Sequence, residues 1–422
     1  MKWFKELQHK HRQGKGVFQF LRFIGPGILV TVGFIDPGNW ATNIDAGSSY
    51  GYQLLWVVTL STIMLILLQH NAAHLGIVTG KCLSESATQH LKPYYSRPIL
   101  TTAMLAAIST AFAELLGGAI ALQILFNLPI SIGALLILLA TIFFTFSNAY
   151  SRIEKIIISF VSIIGFSFLF ELLLINTEWD IAVRDAFVPS IPHGALFVIL
   201  GVLGSVVMPH NLYLHSEVIQ SRQWNLQNKD VIKKQLKYEF LDTLLSMGIG
   251  WLINSAMIVL AAAVFFANNT QVSDIAEASK ILTPFLGKFA TIIFALAFLF
   301  AGISSSITAA MSGGIIFAGI FSEAYNIKDI HSKAGALITL LPATLIIFFV
   351  SNAFHALVFS QVILSFQLPI TVLLLVYLTS STKVMGEYAN KGFTKTLLWS
   401  TAILVTILNI WLLIETFIGK NN

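Results

Sequence analysis

Two short runs, Asp36-Pro37-Gly38-Asn39 and Met208-Pro209-His210-Asn211, carry the residue types in this chain best suited to chemistry. Each interrupts a long apolar segment, residues 23–50 in the first case and 195–219 in the second. Proline has no backbone N–H, and Gly38 favours non-helical angles. Carbonyls upstream of each break are left without helical partners, and at membrane depth only a partner group, water or an ion satisfies them. Asp36 and Asn39 are three residues apart and can converge on one point. Pro209 frees carbonyls near Ser205 and Val206, beside the Met208 thioether. The donor set is then a carboxylate, an amide oxygen, a backbone carbonyl and a soft sulfur. It suits a divalent transition metal such as Mn²⁺ or Fe²⁺, whereas Mg²⁺ and Ca²⁺ gain little from sulfur. A lone methionine is more often adaptable core packing. The position of Met208 directly before Pro209, with an acid in the other break, argues for a ligand.

The elements that position these groups are membrane-spanning helices. The 422 residues are 56% hydrophobic and 11% charged, and the mean hydropathy is +0.79. No soluble domain of this size has that balance. Apolar stretches of about 20 residues are the spanning unit. Eleven are expected, near 23–50, 52–79, 98–126, 130–147, 153–176, 194–220, 240–267, 283–320, 334–351, 354–379 and 396–418. The long 283–320 stretch is expected to extend as a helix beyond the membrane. The first 22 residues are basic and polar without a short apolar core, so no cleavable signal peptide is expected. The single Cys82 excludes an intrachain disulfide, and nothing catalytic is expected of it.

Orientation follows from the basic residues. With the N-terminus cytoplasmic and the C-terminus outside, the inner segments hold all 25 lysines and arginines except Arg184, Lys280, Lys288 and Lys420. This bias explains the net charge of +5 without a nucleic-acid partner. The longest polar segments are an inner loop near 221–238 and an outer loop near 177–193. The outer loop, with Glu178, Asp180 and Asp185, reads more readily as a solvated loop than as a cation funnel. Within the spans, acids stand without basic partners, Asp36 and Glu114 well inside and Glu171 and Glu415 near the ends. Such groups are neutralised by protons or by a bound cation.

The interrupted segments are the first and the sixth. A spacing of five helices predicts two inverted repeats, 23–176 and 194–379, with 396–418 as an added helix in a single membrane domain, 1–422. Inverted repeats whose first helices are broken place the substrate near the midplane.

The run Asp-Pro-Gly-Asn-Trp at 36–40, Tyr-Gly-Tyr-Gln-Leu-Leu-Trp at 50–56 and Met-Pro-His-Asn-Leu-Tyr-Leu-His-Ser at 208–216 resemble the Nramp divalent metal transporters. So do Leu-Gly-Ile-Val-Thr-Gly at 75–80, Ala-Glu-Leu-Leu-Gly at 113–117 and Ser-Gln-Val-Ile-Leu-Ser-Phe-Gln-Leu-Pro at 360–369. The resemblance runs through the first ten helices in order. It implies an all-α membrane protein with the leucine-transporter fold, alternating access, and uptake of Mn²⁺ or Fe²⁺, usually with protons. It implies that Asp36, Asn39 and Met208 are metal ligands, with the carbonyl of Ser205, which stands where the family usually has alanine. Gln361 matches a glutamine that reaches the metal as the outer gate closes; interhelical hydrogen bonding is an equal alternative for it. Glu114 and His210 match positions tied to proton movement. His215 matches a histidine further along the sixth helix, for which interhelical bonding is the favoured role. Two departures touch the usual proton exit. Ala111 stands where the family has an aspartate, and Lys328 and Asp329, near His331 and Lys333, stand where it has an arginine pair. His70 and His74 in the second helix are also unusual.

The expected function is secondary import of divalent transition metal, with protons as the coupling ion, no cofactor, and metal as the transported substrate. The expected setting is a bacterial inner membrane, as a monomer in the lipid bilayer. The alternatives are an uncoupled metal uniporter, a non-transporting metal sensor and, more distantly, a sodium–amino-acid symporter. No nucleophile–base arrangement stands out within a span, so an enzyme is not expected.

Overall fold

The computed structural model describes residues 36–147, 165, 167–222, 229–270, 272, 274–278 and 287–418, and among these there is no strand. Thirteen helices of eight residues or more are described. They are α1 Pro37–Tyr50, α2 Leu55–Thr79, α3 Leu83–His90, α4 Pro93–Phe126, α5 Ile130–Phe146, α6 Trp179–Phe187, α7 Leu196–Val207, α8 Pro209–Val218, α9 Lys229–Val264, α10 Ala290–Ile320, α11 Ile330–Ile347, α12 Ala353–Thr379 and α13 Gly392–Ile418. Among the described residues, eight stretches are long and apolar enough to cross a membrane: α2, α4, α7 with α8, α9, α10, α11, α12 and α13. The apolar α5 is slightly shorter, at 17 residues. Residues 23–35 of the first expected span and most of the fifth, 153–176, lie outside the described residues, as do the N-terminal tail, Lys280 and Lys420.

The ends of these helices follow from local chemistry. Pro37, Pro93 and Pro209 each sit at a helix start, where the missing N–H is one that no intrahelical carbonyl needs. At the end of α2, Gly80 adopts a left-handed φ of 68° and its N–H returns to the Gly76 carbonyl.

Three boundaries differ from the sequence expectation. The expected loop near 221–238 is helical from Lys229, and 223–228 lie outside the described residues. Hydropathy marks only the lipid-facing part of a helix. The polar start of α9, with four lysines between 229 and 237, has good intrinsic helix propensity and buries Ile232, Gln235 and Glu239 at helical spacing. The outer 177–193 stretch contains α6, where Asp185 is buried and ion-paired to Arg184 at 2.9 Å. Helix α4 begins at Pro93, ahead of the expected span, and carries Pro98 within it.

Two apolar cores organise the packing. One draws on α2, α7, α8, α12 and α13, the other on α1, α4, α5, α9, α10 and α11. Small residues set the closest approaches, as they do wherever helices pack without a hydrophobic driving force from water. A Cβ on Gly302 of α10 would lie 2.8 Å from the Glu114 carbonyl oxygen of α4. A Cβ on Gly117 would lie 2.2 Å from the Pro37 Cβ, so α4 receives the start of α1. Trp40 then fixes α1 from the other side, fully buried among Phe168, Phe294 and Phe298 with ring centroids 5.1–5.4 Å away.

Candidate metal site

Helix α1 starts at a carboxylate. Asp36 is extended (φ −102°, ψ 163°), fully buried, and accepts the Asn39 N–H at 2.7 Å through Oδ1. A carboxylate at this position satisfies an otherwise free N–H and faces the positive end of the helix dipole. Its Oδ2 is buried with no hydrogen-bond partner among the described residues. Gly38 does not break the helix as expected: it is the second residue of α1. Its lack of a side chain serves a close approach, since a Cβ there would lie 1.9 Å from Gln361 Nε2 of α12.

The second break is where the sequence places it. Met208 has φ 37° and ψ 94° between α7 and α8. Pro209 excludes a helical conformation for the residue before it. A left-handed φ on a non-glycine residue costs on the order of 1–3 kcal/mol. The Met208 N–H still reaches the Gly204 carbonyl at 3.1 Å. Pro209 has no N–H to offer the Ser205 carbonyl one position on, as expected. The Met208 sulfur accepts from Asn211 Nδ2 at 3.3 Å.

Side chains join the two breaks. Ser205 Oγ lies 3.2 Å from Asn39 Oδ1 and 3.0 Å from the Val202 carbonyl, two alternatives for its one proton. Thr42 Oγ1 lies 3.1 Å from Ser205 Oγ. Asn43 Nδ2 bridges Asn39 Oδ1 at 3.1 Å and Asn254 Oδ1 of α9 at 2.9 Å. Gln361 closes the third side. A Cβ on Gly204 would lie 2.1 Å from the Gln361 carbonyl oxygen, so α12 rests on α7 while its amide lies over α1. Gln361 Nε2 donates to Ser360 Oγ at 3.0 Å, and its Oε1 is buried without a partner. Asp36, Asn39, Ser205 and Gln361 are thus linked through α1, and Met208 stands at the break three residues beyond Ser205. Thr42, Asn43 and Asn254 are additions to the sequence reading. The first two lie three and four residues beyond Asn39, on its helical face, a spacing visible in the sequence. Asn254 had no such signal.

The chemistry of the place is one-sided. Asp36 Oδ2, Gln361 Oε1 and Asn43 Oδ1 are all buried acceptors without a donor among the described residues. Each such group costs about 1–3 kcal/mol, and an uncompensated buried charge costs more. No described Lys or Arg pairs with Asp36. Acceptors without donors favour a cation, and the Met208 thioether tilts the choice towards a soft one. Asn39 Oδ1 already faces two donors, so coordination requires it to give one up.

The residues read as proton carriers divide into two groups. Both carboxylate oxygens of Glu114 are buried without a partner among the described residues. Glu114 lies one helical turn before Gly117, where Pro37 packs. His210 Nδ1 is 3.0 Å from Thr110 Oγ1, four residues before Glu114 on the same face of α4. His215 turns the other way, with Nδ1 2.9 Å from Gln69 Oε1 of α2. Ala111 is fully buried and offers no polar group. Lys328 and Asp329 are exposed ahead of α11. His331 meets Glu323 at 2.8 Å and stacks on Phe321.

A separate group, Cys82, Glu85 and Glu217, has ligand atoms within 4.8 Å of one another. Cys82 and Glu85 form the capping box of α3, and burial pushes the Cys82 thiol well above its ordinary range. A protonated thiol there serves the helix start.

The family model described as natural resistance-associated macrophage protein-like (Nramp) matches residues 27–415. A relative from Caldanaerobacter subterraneus, called divalent metal cation transporter MntH, is 37% identical over 407 residues, 95% of each chain. The solved manganese transporter of Eremococcus coleocola is 26% identical, with a TM-score of 0.80 over 97% of this chain and 90% of that one. Mhp1, a nucleobase-cation-symport-1 family transporter, is 14% identical with a TM-score of 0.60 over 93% of both chains, a likeness of fold alone. The expected leucine-transporter fold is thus present.

The contact between Gly38 and Gln361 yields a test. Gly38→Ala is expected to displace the Gln361 amide and lower the unfolding midpoint in detergent, an overpacking cost of about 1–3 kcal/mol. Gly38→Ala combined with Gln361→Ala is expected to recover most of that loss; equal loss in both variants would contradict the contact.

Proposed function

Because the chain belongs to the Nramp family, we infer that it is a multi-pass membrane importer of Mn²⁺ or Fe²⁺. The observation that carries this reading is the joining of two helix breaks around a buried Asp36 oxygen that no described protein group satisfies. Metal enters from the outer side and displaces the proton that a buried, unpaired Asp36 holds. Asp36, Asn39, the Ser205 carbonyl and the Met208 sulfur form the ligand set. Gln361, already seated over Gly38, adds its amide oxygen as the outer gate closes. The inner side then opens. The repeats 23–176 and 194–379 supply this alternating access, with α7 and α8 moving about the Met208 hinge. In this reading the N-terminus lies in the cytoplasm of a bacterial cell and the C-terminus outside, an orientation that the basic bias of the connecting segments supports.

Protons are the coupling ion in this reading. The displaced proton passes to Glu114, on α4 beside the start of α1, or to His210 of α8, which meets Thr110 on the same face of α4. Uncoupled metal uniport is the second reading, favoured by the apolar Ala111 and by the exposed setting of Lys328 and Asp329.

Two measurements follow. In proteoliposomes, Asp36→Ala is expected to abolish Mn²⁺ uptake, and ordinary uptake by that variant would refute the site. Ser205→Ala is expected to free Asn39 Oδ1 from a competing donor. A neutral hydrogen bond is worth about 1 kcal/mol, so the KM for Mn²⁺ should fall several-fold. An unchanged or raised KM would show that the Ser205 hydroxyl does not compete with metal.

A further inference from the structure

The second helix carries titratable groups that the metal site does not use. His70 Nδ1 lies 2.5 Å from Glu239 Oε2 of α9. The Glu239 side chain is 3% exposed, and its other oxygen accepts from Thr243 Oγ1 at 2.7 Å. His74, one turn along α2, stacks on His70 with ring centroids 6.1 Å apart, and its Nε2 is buried with no hydrogen-bond partner among the described residues. Phe240 packs edge-on against His70. A buried carboxylate with no Lys or Arg partner needs a proton nearby to be tolerated. Here the group that meets it is the side chain whose ordinary titration falls near neutral pH.

We propose that His70, His74 and Glu239 form a proton-binding site between α2 and α9, distinct from the metal site, with the proton shared by His70 Nδ1 and Glu239 Oε2. Its setting leaves one end of the pair open. The His70 side chain is 26% exposed, while Glu239 is sealed behind it. Both lie towards the ends of α2 and α9 that the charge bias assigns to the cytoplasm. The groups that act on the pair come from these two helices: His74 from α2, and Asp242, Thr243 and Phe240 from α9. From α8, His215 meets Gln69, the residue before His70, at 2.9 Å, which brings a polar contact from the metal-site half-helix to the same level of α2. The site takes a proton on His70 from the membrane interior, holds it as imidazolium against the Glu239 carboxylate, and gives it to cytoplasmic water.

This proposal rests on the proton-coupled reading above. The test uses the full chain in proteoliposomes, with Mn²⁺ uptake and an internal pH dye recorded together. The unchanged protein is expected to acidify the lumen as Mn²⁺ enters. Glu239→Gln and His70→Gln are expected to lose most of the acidification per Mn²⁺ transported, a ratio that a merely structural contact would not move. Should Glu239→Gln fail to fold, His70→Gln keeps a hydrogen-bonding side chain beside Glu239 and decides alone. Acidification per Mn²⁺ equal to the unchanged protein in these variants would overturn the site while leaving coupled transport standing. Mn²⁺ uptake without acidification by the unchanged protein would overturn the coupling and the site together.

Discussion

A carboxylate with one oxygen satisfied and the other not is the constraint around which this protein is built. Asp36 Oδ1 takes the N–H of Asn39, and Asp36 Oδ2 is sealed from every described donor. Leaving such an oxygen bare is unfavourable by more than a typical neutral hydrogen bond, so the position is stable only with a proton or a cation. The neighbouring helices are shaped to keep it dry and narrow. Gly117 admits Pro37, Gly38 and Gly204 admit Gln361, and the aromatic cage around Trp40 prevents α1 from drifting.

The second helix break supplies what the carboxylate lacks. Pro209 removes the donor that the Ser205 carbonyl needs and bars Met208 from the helical region, which leaves a strained residue with a soft sulfur. Strain of this kind persists where surrounding packing over-determines it. Here Leu200, Val206, Val207 and Met208 are nearly inaccessible. The Ser205 hydroxyl ties the break to Asn39, so the two half-sites are not independent: what moves α7 also changes the donors around the Asn39 oxygen.

Much of this was legible in the sequence because prolines act locally. The break at Met208 and the helix start after Asp36 follow from Pro209 and Pro37 alone, and in their described parts ten of the eleven expected apolar stretches coincide with helices or broken helices. Gly38 was misread as a breaker, since its role depends on Gln361, a contact far away in the chain. Glu239 was hidden for two reasons. It sits where hydropathy begins α9 too late, and its partner His70 lies on another helix. Asn254 likewise bonds Asn43 from a helix that no local pattern connects to α1. What periodicity conveys is the face of one helix; which faces meet is decided by small residues and by side-chain volumes at the crossings.

The account stands on a donor set that mixes carboxylate and amide oxygens with sulfur. X-ray absorption at the manganese edge on the Mn²⁺-loaded protein reads that set directly. A sulfur neighbour in the first coordination shell, lost in Met208→Ala, is the predicted result. A shell of oxygen and nitrogen alone, unchanged by that substitution, would contradict it.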